Sequence, residues 1–174
     1  KEQSKKFVEY VLKKVFGVEG EIKKTENGKP YIENSPYHFN VSHSGEMVMV
    51  AVSDKPVGID VEKITDRDYK KISERFFHEK EQERVGSLLG FYVLWTKKES
   101  FIKYYGKTLS EINKLTFDDK FYFDGKEESL SSVSEKMDDY VFSVCSEESE
   151  YEKFLVMWFL AFEKFFKILS LVLF

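Results

Sequence analysis

The sequence predicts an α+β fold in which short strands alternate with helices. Three features indicate this class: an amphipathic helix near the start of the chain, several short apolar runs separated by turn residues, and a long helical region in the middle. With 174 residues and 42% hydrophobic side chains, the chain can bury a core as a single domain or as two small lobes that share one core.

The first half of the chain is predicted to hold one helix and three strands. Residues 4–16 place apolar side chains at helical spacing with lysines between them, and Gly17 ends this pattern. Residues 27–30 are typical of a turn. The extended runs predicted as strands are residues 37–42, 47–52 and 57–64.

The second half is predicted to begin with helices and to return to strands. Residues 72–105 have helical periodicity, with breaks near Phe77 and around Gly86. Residues 107–117 are expected to form a loop that leads into a strand. The further strands predicted are residues 120–122, which enter a hairpin turn at Asp124-Gly125, and residues 140–145.

The C-terminal run of residues 154–174 is almost long enough to span a bilayer. Its charged residues Glu163, Lys164 and Lys167 fall on one helical face, which favours packing on the core over a membrane anchor. We expect a strand at residues 154–159 and then an amphipathic helix to about Leu171.

The charge of the chain argues against general nucleic-acid binding. There are 27 Lys+Arg and 31 Asp+Glu, a net charge of −4, and the composition is too apolar for a disordered segment. Residues 1–107, with 20 basic and 17 acidic side chains, carry +3, whereas residues 108–150, with 4 and 12, carry −8. The first segment could therefore still bind an anion.

Cysteine content and the start of the chain bear on location. Cys145 is the only cysteine, which excludes an internal disulfide and favours a reducing cytosol. The chain begins at Lys1 without a recognisable signal peptide. This start leaves open that the sequence begins partway along a longer protein.

Three acidic residues are candidates for a metal site. Asp60 and Glu62 lie two residues apart in a predicted strand and should share one face, an arrangement tolerated at a solvated sheet edge or around a divalent cation. Glu99 interrupts an apolar helical stripe, where an unpaired carboxylate is costly. Its partner is either Lys103, four residues further on, or a cation such as magnesium, or else Glu99 lies at the edge of a cleft.

Polar residues elsewhere suggest phosphate contacts. His43 lies among serines in residues 40–44, where it could donate to a phosphate or belong to an ordinary surface turn. A group of lysines around Glu99 forms either a solvated basic face or a field suited to pyrophosphate. These lysines are Lys97, Lys98, Lys103 and Lys107.

Five segments, taken together and in this order, resemble the 4′-phosphopantetheinyl transferases, and most closely the Sfp type that activates peptide and polyketide synthetases. The segments are Gly-Lys-Pro at 28–30, Asn-Val-Ser-His-Ser at 40–44, Gly-Ile-Asp-Val-Glu at 58–62, Arg-Phe-Phe at 75–77 and Trp-Thr-Lys-Lys-Glu-Ser-Phe-Ile-Lys at 95–103. The last segment is highly specific, and the resemblance covers about residues 21–110.

The resemblance implies a fold and an activity. The fold would be two similar lobes, each a small, mainly antiparallel sheet packed on a helix, related by a pseudo-twofold axis. Residues 1–58 would form a truncated N-terminal lobe and residues 59–174 the C-terminal lobe, with a metal site at their interface. The activity would be transfer of 4′-phosphopantetheine from coenzyme A to a serine of an apo acyl or peptidyl carrier protein, with Mg²⁺ and release of adenosine 3′,5′-bisphosphate.

The matching positions imply a role for each site residue. Asp60, Glu62 and Glu99 would hold the metal, and Glu99 would be the base for the incoming serine, directly or through a water. Lys103 would bind the pyrophosphate and stabilise the leaving phosphate. The residues expected to contact coenzyme A are Ser42 and His43 at its phosphates and Lys29 and Pro30 at the adenine nucleotide.

The resemblance also has gaps that leave alternatives open. Sfp-type chains carry an upstream strand and basic stretch that this sequence lacks, so the chain is a fragment or residues 154–174 fill the vacancy. The leading expectation is a monomeric enzyme of the bacterial cytoplasm that binds neither nucleic acid nor membrane. The alternatives are a coenzyme A or nucleotide binding protein without turnover and a membrane-tethered interaction module. The carrier is expected to meet residues 64–87, where Phe76 and Phe77 could supply apolar contact.

Overall fold

The α+β class is confirmed by the computed structural model, which describes residues 2–147, 152–154 and 168–173. The helices in this part of the chain are α1 (Glu2–Phe16), α2 (Tyr69–Phe76), α3 (Glu79–Arg84), α4 (Leu88–Tyr105) and a 3₁₀ helix (Leu109–Lys114). The strands are β1 (Ile22–Lys24), β2 (Pro30–Ile32), β3 (His38–Ser44), β4 (Met47–Ser53), β5 (Gly58–Lys63), β6 (Leu115–Asp118), β7 (Lys120–Phe123), β8 (Lys126–Glu128), β9 (Ser131–Met137), β10 (Tyr140–Ser146), β11 (Glu152–Phe154) and β12 (Ile168–Leu173).

Most predicted elements are confirmed with ends shifted by a few residues. The expected breaks near Phe77 and Gly86 are the points that separate α2, α3 and α4. The loop at residues 107–117 contains the 3₁₀ helix before it enters β6. Strand β9 has no sequence prediction, because its serines hide the alternation between polar and apolar residues that identifies a strand.

Strand β4 lies at the centre of the fold, and all seven of its residues are buried. One of its faces packs with β3 against the apolar side of α1, where Phe7, Val11 and Leu12 are almost completely buried. Its other face packs against apolar residues of β5 and β10, including Ile59 and Phe142. This burial on both sides explains why β4 is a continuous apolar run.

A second sheet, in the order β5-β10-β9, carries α4 on its other side. Strand β10 pairs antiparallel with both neighbours. Helix α4 approaches β5 so closely that a Cβ on Gly58 would lie 2.0 Å from the carbonyl oxygen of Ser100 and 2.5 Å from the nitrogen of Tyr104. Glycine is therefore required at position 58, and this contact fixes the separation of the helix and the strand that hold the candidate site.

The C-terminal prediction needs a correction. Residues 168–171, expected to end a helix, belong to strand β12, which pairs in parallel with β4 and so satisfies backbone groups at the edge of that sheet. The resulting order is β11-β12-β4-β3. The rest of the predicted strand at 155–159 and the charged residues Glu163, Lys164 and Lys167 lie outside the described residues.

Three further findings complete the fold. Strands β6, β7 and β8 form a small antiparallel sheet, and β1 pairs with β2 around the predicted turn at 27–30. Among the described residues, no helix is long and apolar enough to cross a bilayer. The division into lobes 1–58 and 59–174 and their pseudo-twofold relation stay predictions.

Candidate active site

Strand β5 presents Asp60 and Glu62 on one face, as the sequence predicts. Asp60 is 2% exposed, whereas Glu62 is half-buried. The Ser42 hydroxyl donates to Asp60 Oδ1 at 2.8 Å, and the Ser44 hydroxyl donates to Glu62 Oε2 at 2.9 Å. Each carboxylate is therefore oriented by a serine of β3.

The polar residues of β3 have a structural role that the sequence interpretation missed. The side chains of Asn40, Ser42 and Ser44 accept hydrogen bonds from successive outward N–H groups of β5, at Ile59, Val61 and Lys63, with distances of 3.2, 3.2 and 3.0 Å. These side chains take the place of a neighbouring strand along the free edge of β5. Their spacing of two residues was the sequence signal for this arrangement.

Lys103 lies between the serines and the carboxylates. Its Nζ is 2.6 Å from Asp60 Oδ1 and 2.9 Å from Ser42 Oγ. Lys103 therefore forms its ion pair with Asp60 of β5. It does not form the i, i+4 pair with Glu99 that the sequence spacing allowed. An ammonium beside a buried carboxylate offsets part of the cost of burying its charge.

Glu99 is a carboxyl group whose proton affinity is strongly raised. Burial is the main cause, and the charges of Asp60 and Glu62 add to it, so the pKa rises from its ordinary 4.5 to about 7. The positive charge of Lys103 and a hydrogen bond from Trp95 act in the opposite direction. Glu99 therefore exchanges its proton near neutral pH, as a general base must.

The other two carboxyl groups are also shifted upward. Burial raises the pKa of Asp60, against the effects of Lys103 and Ser42. Burial and the charge of Asp60 raise the pKa of Glu62. Carboxylates that lie close together repel one another when they are ionised. A bound cation removes this repulsion, so such a group of side chains is favourable for binding a cation.

The donor chemistry of this site fits a hard divalent cation. Asp60 Oδ2 is buried and has no hydrogen-bond partner, so it is an oxygen that a cation could satisfy. Within the described residues, however, no three His, Cys, Asp or Glu side chains are grouped closely enough to hold a metal ion. The metal set Asp60, Glu62 and Glu99 therefore stays a prediction.

A groove of about 320 Å³ lies beside α1 and the first two hairpins. It brings together two of the residues predicted to contact coenzyme A, Pro30 and His43, and adds the basic residues Lys5 and Lys24. Its apolar lining residues are Val8, Ile22, Phe39 and Val41. The sequence interpretation missed Lys5 and Lys24, because single lysines on a helix face and in a short strand carry no specific signal.

Two predicted contacts of coenzyme A lie away from this groove. Ser42 is 4% exposed and faces Asp60 on the opposite side of β3 from His43. Lys29 is directed to the end of α4, where its Nζ donates to the carbonyl oxygen of Tyr104 and lies 5.6 Å from the ring of that residue. Burial lowers the pKa of Lys29 to about 8.

The basic face predicted around Glu99 does not form as one surface. Lys98 is fully buried against Glu81, Lys97 covers the ring of Phe117 at 4.3 Å, and Lys107 covers the ring of Phe123 at 4.4 Å. The ammonium groups of Lys97 and Lys107 lie over aromatic faces, which attract a cation, and that of Lys98 is paired inside the protein. Of the four lysines, Lys103 is the one beside the carboxylates.

Comparisons with known proteins agree on one family. Residues 56–157 match the family model described as the 4′-phosphopantetheinyl transferase superfamily. The chain is 46% identical over 92 residues to 4′-phosphopantetheinyl transferase gsp of Aneurinibacillus migulanus, covering 49% of this chain and 38% of that protein. It is 44% identical over 103 residues to 4′-phosphopantetheinyl transferase psf-1 of Bacillus pumilus, covering 55% and 41%.

A further relative is similar over the same extent. It is 4′-phosphopantetheinyl transferase Sfp of Bacillus subtilis (strain 168), 45% identical over 92 residues, covering 49% of this chain and 41% of that protein. The chain thus spans about two fifths of the length of the curated relatives it matches.

Proposed function

Because the chain belongs to the 4′-phosphopantetheinyl transferase superfamily, we propose that it transfers the 4′-phosphopantetheine group of coenzyme A to a serine hydroxyl of an apo acyl or peptidyl carrier protein. The reaction depends on Mg²⁺ and releases adenosine 3′,5′-bisphosphate. The observation that supports this proposal most is the group of Asp60, Lys103 and Glu99, with a raised carboxyl pKa beside a paired ammonium.

Glu99 removes the proton of the incoming serine. In the metal-free protein the pKa of this carboxyl group is about 7, so it exchanges its proton near neutral pH. Mg²⁺ held beside it would lower that pKa and favour the ionised form that accepts the proton. The serine oxygen then forms a bond to the phosphorus that carries the pantetheine arm, and the bond from that phosphorus to the bridging oxygen breaks. The bridging oxygen leaves with the adenosine bisphosphate.

Lys103 supplies positive charge for the phosphate oxygens. Its ammonium lies at Asp60 in the free protein, within the same group of side chains as the proposed base. Bound Mg²⁺, held by Asp60, Glu62 and Glu99, would neutralise the pyrophosphate and help to orient it. Phosphoryl transfer then needs positioning and charge stabilisation from the protein and no covalent intermediate.

The groove near His43 is our proposed site for the adenosine end of coenzyme A. Lys5, Lys24 and His43 give it a basic rim, and the apolar side chains of β3 and α1 give it a surface on which a base can pack. Pro30 lines the same groove and is proposed to contact the adenine nucleotide. We retain Lys29 and Ser42 as proposed contacts of coenzyme A outside the groove. In the free protein Lys29 donates to the carbonyl oxygen of Tyr104 and Ser42 donates to Asp60.

The carrier surface proposed at residues 64–87 changes in one respect. Phe77 is 5% exposed and packs on Phe91 and Trp95, so it supports the surface from below. Phe76 is half-buried against Trp95 and is the aromatic residue we propose for contact with the carrier. We further propose a monomer in the bacterial cytoplasm, in keeping with the single cysteine.

Intact-mass measurement of a carrier protein tests the proposal. Apo carrier incubated with this protein, coenzyme A and Mg²⁺ should gain the mass of one phosphopantetheinyl group, and the gain should stop with chelator and return with added Mg²⁺. A carrier with the acceptor serine replaced by alanine is the control and should gain nothing. Coenzyme A binding without a mass gain on peptidyl or acyl carriers would favour the binding protein without turnover.

A further inference from the structure

Helix α4 carries a buried ion pair immediately next to the proposed base. Lys98 Nζ lies 2.8 Å from Glu81 Oε2, and the two side chains are 0% and 3% exposed. Lys98 also donates to the carbonyl oxygen of Phe76 at 3.3 Å, and its ammonium lies 5.0 Å from the ring centre of Phe77. The charge of Lys98 is therefore fully paired inside the protein.

Glu81 connects this lysine to two further segments. Its Oε2 accepts the backbone N–H of His78 at 2.8 Å, in a capping box that begins α3. Its Oε1 accepts the backbone N–H of Phe117 in β6 at 2.7 Å. One carboxylate thus joins the start of α3, strand β6 and α4, and through Lys98 it also reaches the end of α2.

The buried ion pair between Glu81 and Lys98 is not well explained by a contribution to folding stability. Two charges removed from water lose hydration that their attraction barely repays, and apolar residues of similar volume often stabilise a core equally well. A buried pair does, however, permit only arrangements in which both charges meet. It can therefore fix the position of an element more strictly than apolar packing does.

The position of Lys98 makes such strictness relevant to the site. Adjacent residues of an α-helix point about 100° apart around its axis, so holding Lys98 on Glu81 fixes the rotation of α4 at Glu99. The same rotation determines where Lys103 points, one turn further along the helix. On its other side α4 packs closely on Gly58, and the Thr96 hydroxyl lies 2.7 Å from the Ser143 hydroxyl of β10, so the helix is held from both sides.

We propose that Glu81 and Lys98 are positioning residues that set the rotation of α4 and thereby aim Glu99 and Lys103 at the reacting phosphate. They act through the helix and touch no substrate. By joining α4 to α2 and α3, they also hold the proposed carrier surface in register with the base. The inference about the reaction rests on the proposed function.

A neutral double variant, Glu81→Gln with Lys98→Met, tests the role without leaving a buried charge. Gln retains an acceptor for one of the two backbone N–H groups, and Met fills the volume of the lysine stem. We expect its urea midpoint to stay close to that of the wild type while kcat falls at least tenfold and KM for coenzyme A changes less than twofold. A folded double variant with wild-type kcat would overturn the proposal.

The exposed pair Lys120 and Glu127 provides a matched control. Its side chains are 60% and 51% exposed, and the same replacements, Lys120→Met with Glu127→Gln, should leave kcat, KM and the urea midpoint unchanged. If the buried double variant does not fold, Lys98→Arg replaces it, because Arg keeps the charge but changes the geometry of the donor. Lys98→Arg should fold with lowered kcat, and wild-type kcat in that variant would overturn the proposal.

A readout without turnover separates this inference from the proposed function. Trp95 lies on α4 with its ring against Phe76 of α2 and against Phe77, so the NMR resonance of its indole N–H reports how α4 is turned relative to α2. That resonance should shift in the buried double variant and stay in place in the control pair. A resonance that does not move would contradict the positioning role, whether or not the wild-type protein modifies a carrier.

Discussion

Replacing Glu99 with Gln should stabilise the protein above neutral pH and leave its stability unchanged in mild acid. The wild-type carboxyl group is held in a buried position near Asp60 and Glu62, which disfavours its charged form. Gln has nearly the same shape and no charge, so Glu99→Gln removes the ionisation and keeps the packing. The prediction concerns the protein without Mg²⁺.

The magnitude follows from the two pKa values. Unfolded Glu99 loses its proton near 4.5, whereas folded Glu99 keeps it to about 7. Between these pH values the unfolded state binds fewer protons, so the free energy of unfolding falls as pH rises and levels off above pH 7. A pKa difference of 2.5, at about 1.4 kcal/mol for each pH unit, amounts to at most about 3.5 kcal/mol.

Urea unfolding in the presence of chelator measures this effect. The free energies of wild type and Glu99→Gln should agree near pH 4, diverge through pH 5, 6 and 7, and differ by at most about 3.5 kcal/mol at pH 8. The same substitution at exposed Glu83 is the control and should give a difference that does not change with pH. A constant difference for Glu99→Gln between pH 5 and 8 would refute the argument that burial and repulsion disfavour its charge.

Three further predictions concern the residues that build the site. Gly58→Ala should lower the free energy of unfolding by about 3 kcal/mol or more, because the new Cβ would overlap α4. Gly86→Ala is the control, since Gly86 has open space around it. Equal urea midpoints for the two variants would contradict the close approach of α4 to Gly58. Ser42→Ala should lower the free energy of unfolding by about 1–3 kcal/mol, because the buried N–H of Val61 loses its hydrogen-bond acceptor. An unchanged free energy of unfolding would mean that a different group accepts this hydrogen bond. Cys145 is fully buried and burial raises its pKa well above the usual range, so a thiol reagent should label it in urea but not in the native protein; rapid native labelling would disprove its place in the core.

The sequence was sufficient for the elements whose periodicity is strong. Helix α1 and the breaks on either side of α3 follow from apolar spacing and from residues that end helices. Strand β12 was expected to be helical, because apolar runs of this length carry no period that separates helix from strand. Its structure depends on pairing with β4, a contact between positions more than one hundred residues apart that local propensity does not encode.

The site was predictable in its residue types and less so in its contacts. A shared face for Asp60 and Glu62 follows from strand geometry alone. The ion pair of Lys103 depended on the approach of α4 to β5, so spacing alone suggested Glu99 as its partner. Lys98 looked equivalent to its neighbours in the sequence, and only the packing of α3 and β6 around Glu81 distinguishes it.

Simultaneous quantification of both reaction products tests the central claim most directly. With coenzyme A, Mg²⁺ and apo carrier, the wild-type protein should form one phosphopantetheinylated carrier for each adenosine 3′,5′-bisphosphate released. Glu99→Gln, which without Mg²⁺ should be folded and at least as stable as the wild type at pH 8, should form both products at least about a hundredfold more slowly, as expected for loss of a general base. Absence of both products with the wild type, or near wild-type rates with Glu99→Gln, would contradict the account.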